Sequence, residues 1–91
     1  MMADNVFEKD PEAVLDYQVD WSNWLDEDTI TTSVWVASTG LTVDSDTETN
    51  TTATAIVSGG TAGATYTLEN KITTAGGLTD ERTLYIVCVE R

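Results

Sequence analysis

The sequence predicts an all-β protein, an antiparallel β-sandwich of six to seven short strands. Its 91 residues include 17 threonines, nine valines and four isoleucines, and such branched side chains favour strands over helices. Turn residues separate short apolar runs along the whole chain, as in a sandwich. A glycine-rich corner at residues 58–63 precedes Tyr66 at the head of a strand, which is typical of the tyrosine corner in immunoglobulin-like domains. We therefore predict an immunoglobulin-like sandwich.

The N-terminal residues predict an extended docking arm over 1–13, ahead of a sandwich domain over 14–91. Residues 1–13 are polar and contain the only proline. Val6 and Phe7 stand together within this polar stretch, so we expect them to contact a neighbouring subunit. A disordered tail is the alternative interpretation.

The first half of the domain predicts three strands. Leu15, Tyr17, Val19 and Trp21 alternate with polar residues, the pattern of a half-buried strand. Residues 26–28 then form a charged turn. The second strand spans 30–37 with Trp35 as a core residue, and the third, short strand spans 41–45. The polar residues 46–50 form its tip.

The second half predicts strands over 52–58, 65–73 and 82–89. Gly60 and Gly63 are expected to be turn glycines between the first two of these strands. On the last two strands, Tyr66, Leu68 and Ile72 would face inward with Leu84, Ile86 and Cys88. Tyr85, Val87 and Val89 would then share the opposite face. Alternating large apolar side chains on a terminal strand predict an association surface.

The charge of the chain is strongly negative and unevenly distributed. Residues 1–50 carry twelve acidic groups and Lys9, a balance of −11, whereas residues 51–91 carry four acidic and three basic groups, a balance of −1. A net charge of −12 repels nucleic acid and anionic membranes, so we expect neither as a partner. Acidic loops suit a basic protein partner, or simply form a solvated face.

The sequence offers no catalytic or cofactor-binding constellation. It contains no histidine, and its one cysteine, Cys88, lies in an apolar strand that predicts a buried thiol. The glycines at 59, 60 and 63 are not followed by the lysine and hydroxyl residue of a phosphate loop. We therefore predict a protein that is not an enzyme and has no catalytic, cofactor or metal site.

Two alternative binding functions remain open on the residues alone. Carboxylates at 26–28 and at 44–48 are possible calcium ligands, although the second group lacks the glycine and closing glutamate of an EF-hand. Trp21 and Trp24, three residues apart, would suit a carbohydrate-binding module if one of them stacked on a sugar ring.

The chain shows no sign of export. No basic, apolar leader begins it and no apolar run approaches the length of a membrane span. A single cysteine suits a reducing cytoplasm, or a particle assembled there.

In combination and order, several short motifs resemble the fiber-tail adaptor proteins of tailed bacteriophages. The motifs are Lys9-Asp10-Pro11, Leu15-Asp16-Tyr17, Asp20-Trp21, Trp24-Leu25, Asp28-Thr29-Ile30, Ser33, Trp35, Gly40-Leu41, Ser58-Gly59-Gly60-Thr61-Ala62-Gly63, Tyr66, Thr73-Thr74-Ala75-Gly76-Gly77, Glu81-Arg82 and Glu90-Arg91. The resemblance implies a non-enzymatic virion protein, made in the cytoplasm of the bacterial host, that links a fiber or spike to the tail or neck. It also implies other virion proteins as partners and several copies in a symmetric assembly. A capsid decoration protein on the phage head is the alternative.

Overall fold

A computed structural model describes residues 6–90, and it confirms the all-β prediction. Seven strands and one short helix lie within these residues. In chain order they are β1 (Val6–Lys9), β2 (Leu15–Asp20), α1 (Ser22–Leu25), β3 (Ile30–Ala37), β4 (Leu41–Glu48), β5 (Thr52–Gly59), β6 (Thr65–Thr74) and β7 (Thr79–Cys88).

The strands form two sheets with an immunoglobulin-like order. One sheet has four strands in the order β1-β7-β6-β3, and the other has three in the order β2-β5-β4. The neighbours β7-β6-β3 correspond to immunoglobulin strands G, F and C, and β2-β5-β4 correspond to B, E and D. β1 pairs with β7 in parallel, whereas the other described strand pairs are antiparallel. A parallel pair can form here because β1 is followed by a crossover to the other sheet and not by a hairpin.

β1 lies inside the predicted N-terminal arm, and it corrects that prediction for residues 6–9. Within the described residues, Val6–Lys9 is a strand in register with β7, with Val6 opposite Tyr85 and Lys9 opposite Cys88. Residues 6–9 therefore belong to the sandwich, ahead of the predicted boundary at residue 14. Residues 1–5, the remainder of the predicted arm, lie outside the described residues.

The core lies between the sheets and is built from alternate residues of each strand. Leu68 and Ile72 of β6 are fully buried, as is Ile86 of β7, and this inward set matches the alternation predicted from the sequence. Trp21 is also fully buried and Trp35 is 9% exposed. Leu15, at the start of β2, is 37% exposed even though the predicted alternation places it inward.

Two elements differ from those predicted. α1 follows β2 where no helix was predicted, and its end is marked by Asp26 and Glu27, both with positive φ. β4 extends to Glu48, three residues past the predicted end, because Thr47 and Glu48 pair with Thr54 and Ala53 of β5. A register shift between Val43 and Ser45 interrupts the alternation of β4, so its continuation is not visible as period two.

Candidate docking surfaces

The glycine corner before β6 holds the end of β7 in place. The Thr61 N–H donates a hydrogen bond to the Tyr66 Oη at 2.9 Å, the contact that defines a tyrosine corner. The Gly63 N–H donates to the Cys88 carbonyl at 2.9 Å. Gly60 has a φ of 102°, and a Cβ at this position would collide with the Cys88 Sγ. A larger residue at position 60 would therefore force the corner or the Cys88 side chain to shift.

Lys9 anchors β1, the strand that flanks β7 on the side away from β6. Its side chain is 1% exposed, and its ammonium group donates to the Gly59 carbonyl at 2.6 Å and to the Asp10 carbonyl at 3.0 Å. The Lys9 carbonyl accepts from the Val89 N–H at 2.9 Å. A buried lysine is unusual, and its several backbone acceptors offset the cost of removing the charge from water. No signal in the sequence predicts this burial, because lysine at a strand end is ordinarily solvated.

Phe7 lies on the inner face of β1, which corrects the prediction that it stands beside Val6 on a docking surface. It packs against the core and makes an edge-to-face contact with Tyr17, with ring centroids 5.4 Å apart and planes at 67°. Because successive side chains of a strand point to opposite faces, Val6 and Phe7 cannot share one surface. Val6 alone faces outward.

The outer side of β1 and β7 carries an apolar patch, called here the β1–β7 face and defined by Val6, Tyr85 and Val87. Val6 is 48% exposed and lies directly opposite Tyr85, which is 43% exposed. Val87, two residues along β7, is half-buried and lies opposite Glu8. Val89, also half-buried, follows just beyond the end of β7. The alternation predicted from the sequence thus brings Tyr85 and Val87 together, and the fold adds Val6.

A second exposed feature is the acidic edge, defined by Asp44, Asp46 and Glu48 of β4. All three side chains are exposed, and β4 is the outermost strand of its sheet. Asp44 lies at the register shift and accepts a hydrogen bond from the Ser58 Oγ at 3.0 Å. Charges and a bulge on an edge strand discourage unwanted strand pairing, and they also present negative charge to a basic partner.

The two tryptophans considered for sugar stacking differ in burial. Trp21 is fully buried, and its Nε1–H donates to the Asn70 Oδ1 at 2.9 Å. The Arg82 guanidinium covers the Trp21 ring at 4.4 Å from the ring centre, and Trp24 meets it edge to face. Trp21 therefore has no free ring face for a ligand, whereas Trp24 is half-buried, so the carbohydrate alternative would depend on Trp24.

Asp28 belongs to one of the two carboxylate groups considered as calcium ligands. In the structure it makes hydrogen bonds that hold two turns together. Its Oδ1 accepts from the Thr29 N–H at 2.8 Å and from the Gly76 N–H at 3.1 Å, which joins the turn before β3 to the β6–β7 hairpin. The Thr74 hydroxyl, together with the Thr29 and Gly76 N–H groups, lowers the pKa of Asp28 from its usual 3.8.

Three features are absent from residues 6–90. No group of three histidine, cysteine, aspartate or glutamate side chains converges as metal ligands would. No pocket is found in this part of the chain. None of the described helices has the length and apolar character needed to cross a membrane.

These features define a class of protein: a small immunoglobulin-like domain whose distinctive sites are surfaces, one apolar and one acidic. Comparison with known families identifies it further. Residues 9–87 match the family described as "Podophage GP4 fiber-tail adaptor protein gp77", and the chain belongs to this family. A comparison with curated proteins finds no match. The chain is accordingly a phage structural protein of the fiber-tail adaptor type, a component of the virion that binds other virion proteins.

Proposed function

We propose that this chain joins a fiber or spike to the tail or neck of a tailed phage through non-covalent contacts alone. Several copies would occupy equivalent positions around the particle, since repeated copies of one small domain form closed symmetric assemblies. The family match over residues 9–87 supports an adaptor, and the β1–β7 face supplies a surface for it.

The observation that carries the proposal is the outward pairing of Val6 with Tyr85, beside polar neighbours on β6. Tyr85 has Thr67 as its neighbour on β6, and Val87 has Thr65. An apolar centre flanked by small polar side chains is the usual anatomy of a protein interface, and tyrosine is enriched at such positions. The partner-contacting residues we propose are therefore Val6, Tyr85 and Val87, with Val89 at the margin.

The acidic edge supports a protein partner with a basic surface. A net charge of −12 steers such a partner toward the chain and repels phosphate backbones and anionic lipid headgroups. Direct contact with nucleic acid or membrane is therefore no part of the proposed role. The single cysteine, Cys88, is buried and free, which suits synthesis in the host cytoplasm before incorporation into the virion.

The test is to replace Tyr85 by lysine in the phage and to image purified particles by cryo-electron microscopy. Tyr85→Lys replaces an exposed aromatic ring by a charge at the centre of the β1–β7 face, so we expect particles that lack fibers. The matched control is Leu78→Lys, which introduces the same charge at a side chain 57% exposed in the β6–β7 turn. It should leave fiber attachment unchanged.

The images also distinguish the alternatives by location. Copies at the junction between fiber and tail or neck support the adaptor. Copies arrayed over the head would identify a capsid decoration protein and overturn the proposal. Particles of Tyr85→Lys that carry a normal complement of fibers would remove the β1–β7 face from the interface.

The proposed docking arm is now limited to residues 1–5, because Val6–Lys9 belongs to the sheet. Deleting residues 2–5 tests the arm without removing the buried Lys9. Reduced incorporation of fibers, with unchanged thermal stability of the isolated protein, is the expected result. Normal incorporation would restrict the contact to the folded domain.

A further inference from the structure

β3 is an edge strand that lacks the usual protection of an edge. It forms one border of the four-stranded sheet, and its eight residues, ITTSVWVA, carry no charge. The other border strands differ: β1 contains Glu8 and Lys9, β2 contains Asp16 and Asp20, and β4 carries the acidic edge. Natural edge strands are ordinarily kept from pairing by charges, bulges or short length. β3 has only a register shift near its start, between Ile30 and Thr32.

The hydrogen-bonding groups on the open side of β3 can be assigned from the register. The Ser38 N–H donates to the Thr67 carbonyl at 3.0 Å, so residue 38 belongs to a pair bonded toward β6. Because bonded and non-bonded pairs alternate in an antiparallel ladder, the N–H and C=O groups of Ser33, Trp35 and Ala37 point away from β6. None of the described strands pairs with β3 on that side.

The side chains beside this open edge are apolar on the outer face. Val34 is 53% exposed and Val36 is 56% exposed. They stand opposite Lys71 and Glu69 of β6, so each valine has a charged neighbour on one side and, among the described strands, no neighbour on the other. An added strand would cover both valines and satisfy the open backbone groups at the same time.

The acidic edge indicates what kind of strand would fit. β4 borders the other sheet on the same side of the sandwich and lies next to β3. We propose that β3 is the site of strand addition by an extended segment of a partner protein in which apolar residues alternate with lysine or arginine. Its apolar side chains cover Val34 and Val36, and its basic side chains face the acidic edge. The assignment of that partner to the virion rests on the proposed function, whereas the strand addition itself does not.

A second copy of this chain fits the edge less well. Antiparallel pairing of two β3 strands would bring two acidic edges together, each on a chain of net charge −12. Like charges facing each other across an interface oppose association, most strongly at low salt.

The experiment uses the full chain and a synthetic peptide of alternating valine and lysine, with alternating valine and glutamate as the control peptide. Binding is measured by fluorescence anisotropy at low and high salt, and amide hydrogen exchange locates the site. We expect the lysine peptide to bind, the glutamate peptide not to bind, and slower exchange at Ser33, Trp35 and Ala37. High salt should weaken the binding because it screens the acidic edge.

Two variants with a matched control make the test specific. Ala37→Pro removes one outward N–H and should weaken peptide binding by about tenfold, a loss of about 1.4 kcal/mol. Val36→Lys, opposite Glu69, should weaken it similarly without disturbing the fold. Leu78→Lys, at nearly the same exposure but in the β6–β7 turn, should leave it unchanged.

Peptide binding that is equal in all three variants, or no binding at all, would overturn the proposal. Dimerisation of the chain without peptide, abolished by Ala37→Pro, would assign the edge to a second copy and would overturn it as well. These outcomes are independent of fiber attachment in Tyr85→Lys particles, so failure of the strand-addition proposal and failure of the adaptor proposal can be told apart.

Discussion

The Lys9 ammonium group lies 2.6 Å from the Gly59 carbonyl and so joins the first strand of one sheet to the last residue of β5 in the other. This contact explains why β1 belongs to the sandwich and not to an arm. A charged donor to a backbone carbonyl in a buried setting is among the stronger hydrogen bonds of a protein. The family match begins at Lys9, the residue that makes this contact.

Replacing Lys9 by alanine is expected to destabilise the fold by about 2–4 kcal/mol, because it removes both a buried side-chain stem and the donor to Gly59. Urea unfolding followed by tryptophan fluorescence measures the change. Lys71→Ala, at an exposed position of β6, is the control and should stay within about 0.5 kcal/mol of the wild type. Equal stabilities of the two variants would contradict the anchoring role of Lys9.

Removal of the Tyr66 hydroxyl is expected to cost about 1 kcal/mol, since the Thr61 N–H loses its acceptor. Thr61 is exposed, so water partly replaces the lost bond and limits the effect. Tyr85→Phe, on the β1–β7 face, serves as the control and should be neutral. A Tyr66→Phe variant as stable as Tyr85→Phe would mean that the corner does not depend on this hydrogen bond.

Replacing Gly60 or Gly63 by alanine distinguishes the stability cost of backbone strain from that of a steric collision. Gly60 has a φ of 102° and Gly63 a φ of 91°, a region where an alanine is strained by about 1–3 kcal/mol. A Cβ at Gly63 meets nothing within 4 Å, whereas a Cβ at Gly60 collides with the Cys88 Sγ. Gly60→Ala should therefore lower the free energy of unfolding by at least about 1 kcal/mol more than Gly63→Ala. The opposite order would show that the corner relaxes around Cys88.

Asn70→Ala is expected to cost about 2–4 kcal/mol, because it leaves the buried Trp21 Nε1–H without an acceptor and opens a cavity. Ser33→Ala removes only one partner of the Asn70 amide and should cost about 1 kcal/mol or less. Thermal and urea unfolding of both variants would show the difference. If the Ser33 variant were the less stable of the two, the Trp21 contact would not be the main role of Asn70.

Acid should weaken the fold partly through Asp28. Its pKa in the folded chain lies below the usual 3.8, so the ionised carboxylate stabilises the fold fully above that value. This stabilisation is lost as the pH falls through the lower, folded pKa. We expect Asp28→Asn to show a smaller loss of stability between neutral and acidic pH than the wild type. If NMR showed the Asp28 carboxyl titrating above 3.8, ionised Asp28 would destabilise the fold, and the prediction would be wrong.

Much of the sandwich was predictable because strands have a period of two. Residues 30–37 are predicted and observed as the same strand, and the inward set on β6 and β7 follows from alternation alone. The outward positions of Tyr85 and Val87 follow in the same way. Phe7 was predicted on the docking surface because a strand of only four residues, ending in a lysine, is too short to show the alternation that would have placed Phe7 inward.

The sequence by itself determined the fold class, the tyrosine corner and the negative charge, since each of these depends on residue types and local spacing. Only the tertiary structure decided that β1 runs parallel to β7, that Val6 meets Tyr85 and that β3 keeps an open, uncharged edge beside the acidic edge. Those relationships join residues far apart in the chain. They arise from the pairing of strands and the stacking of sheets, which local patterns do not encode.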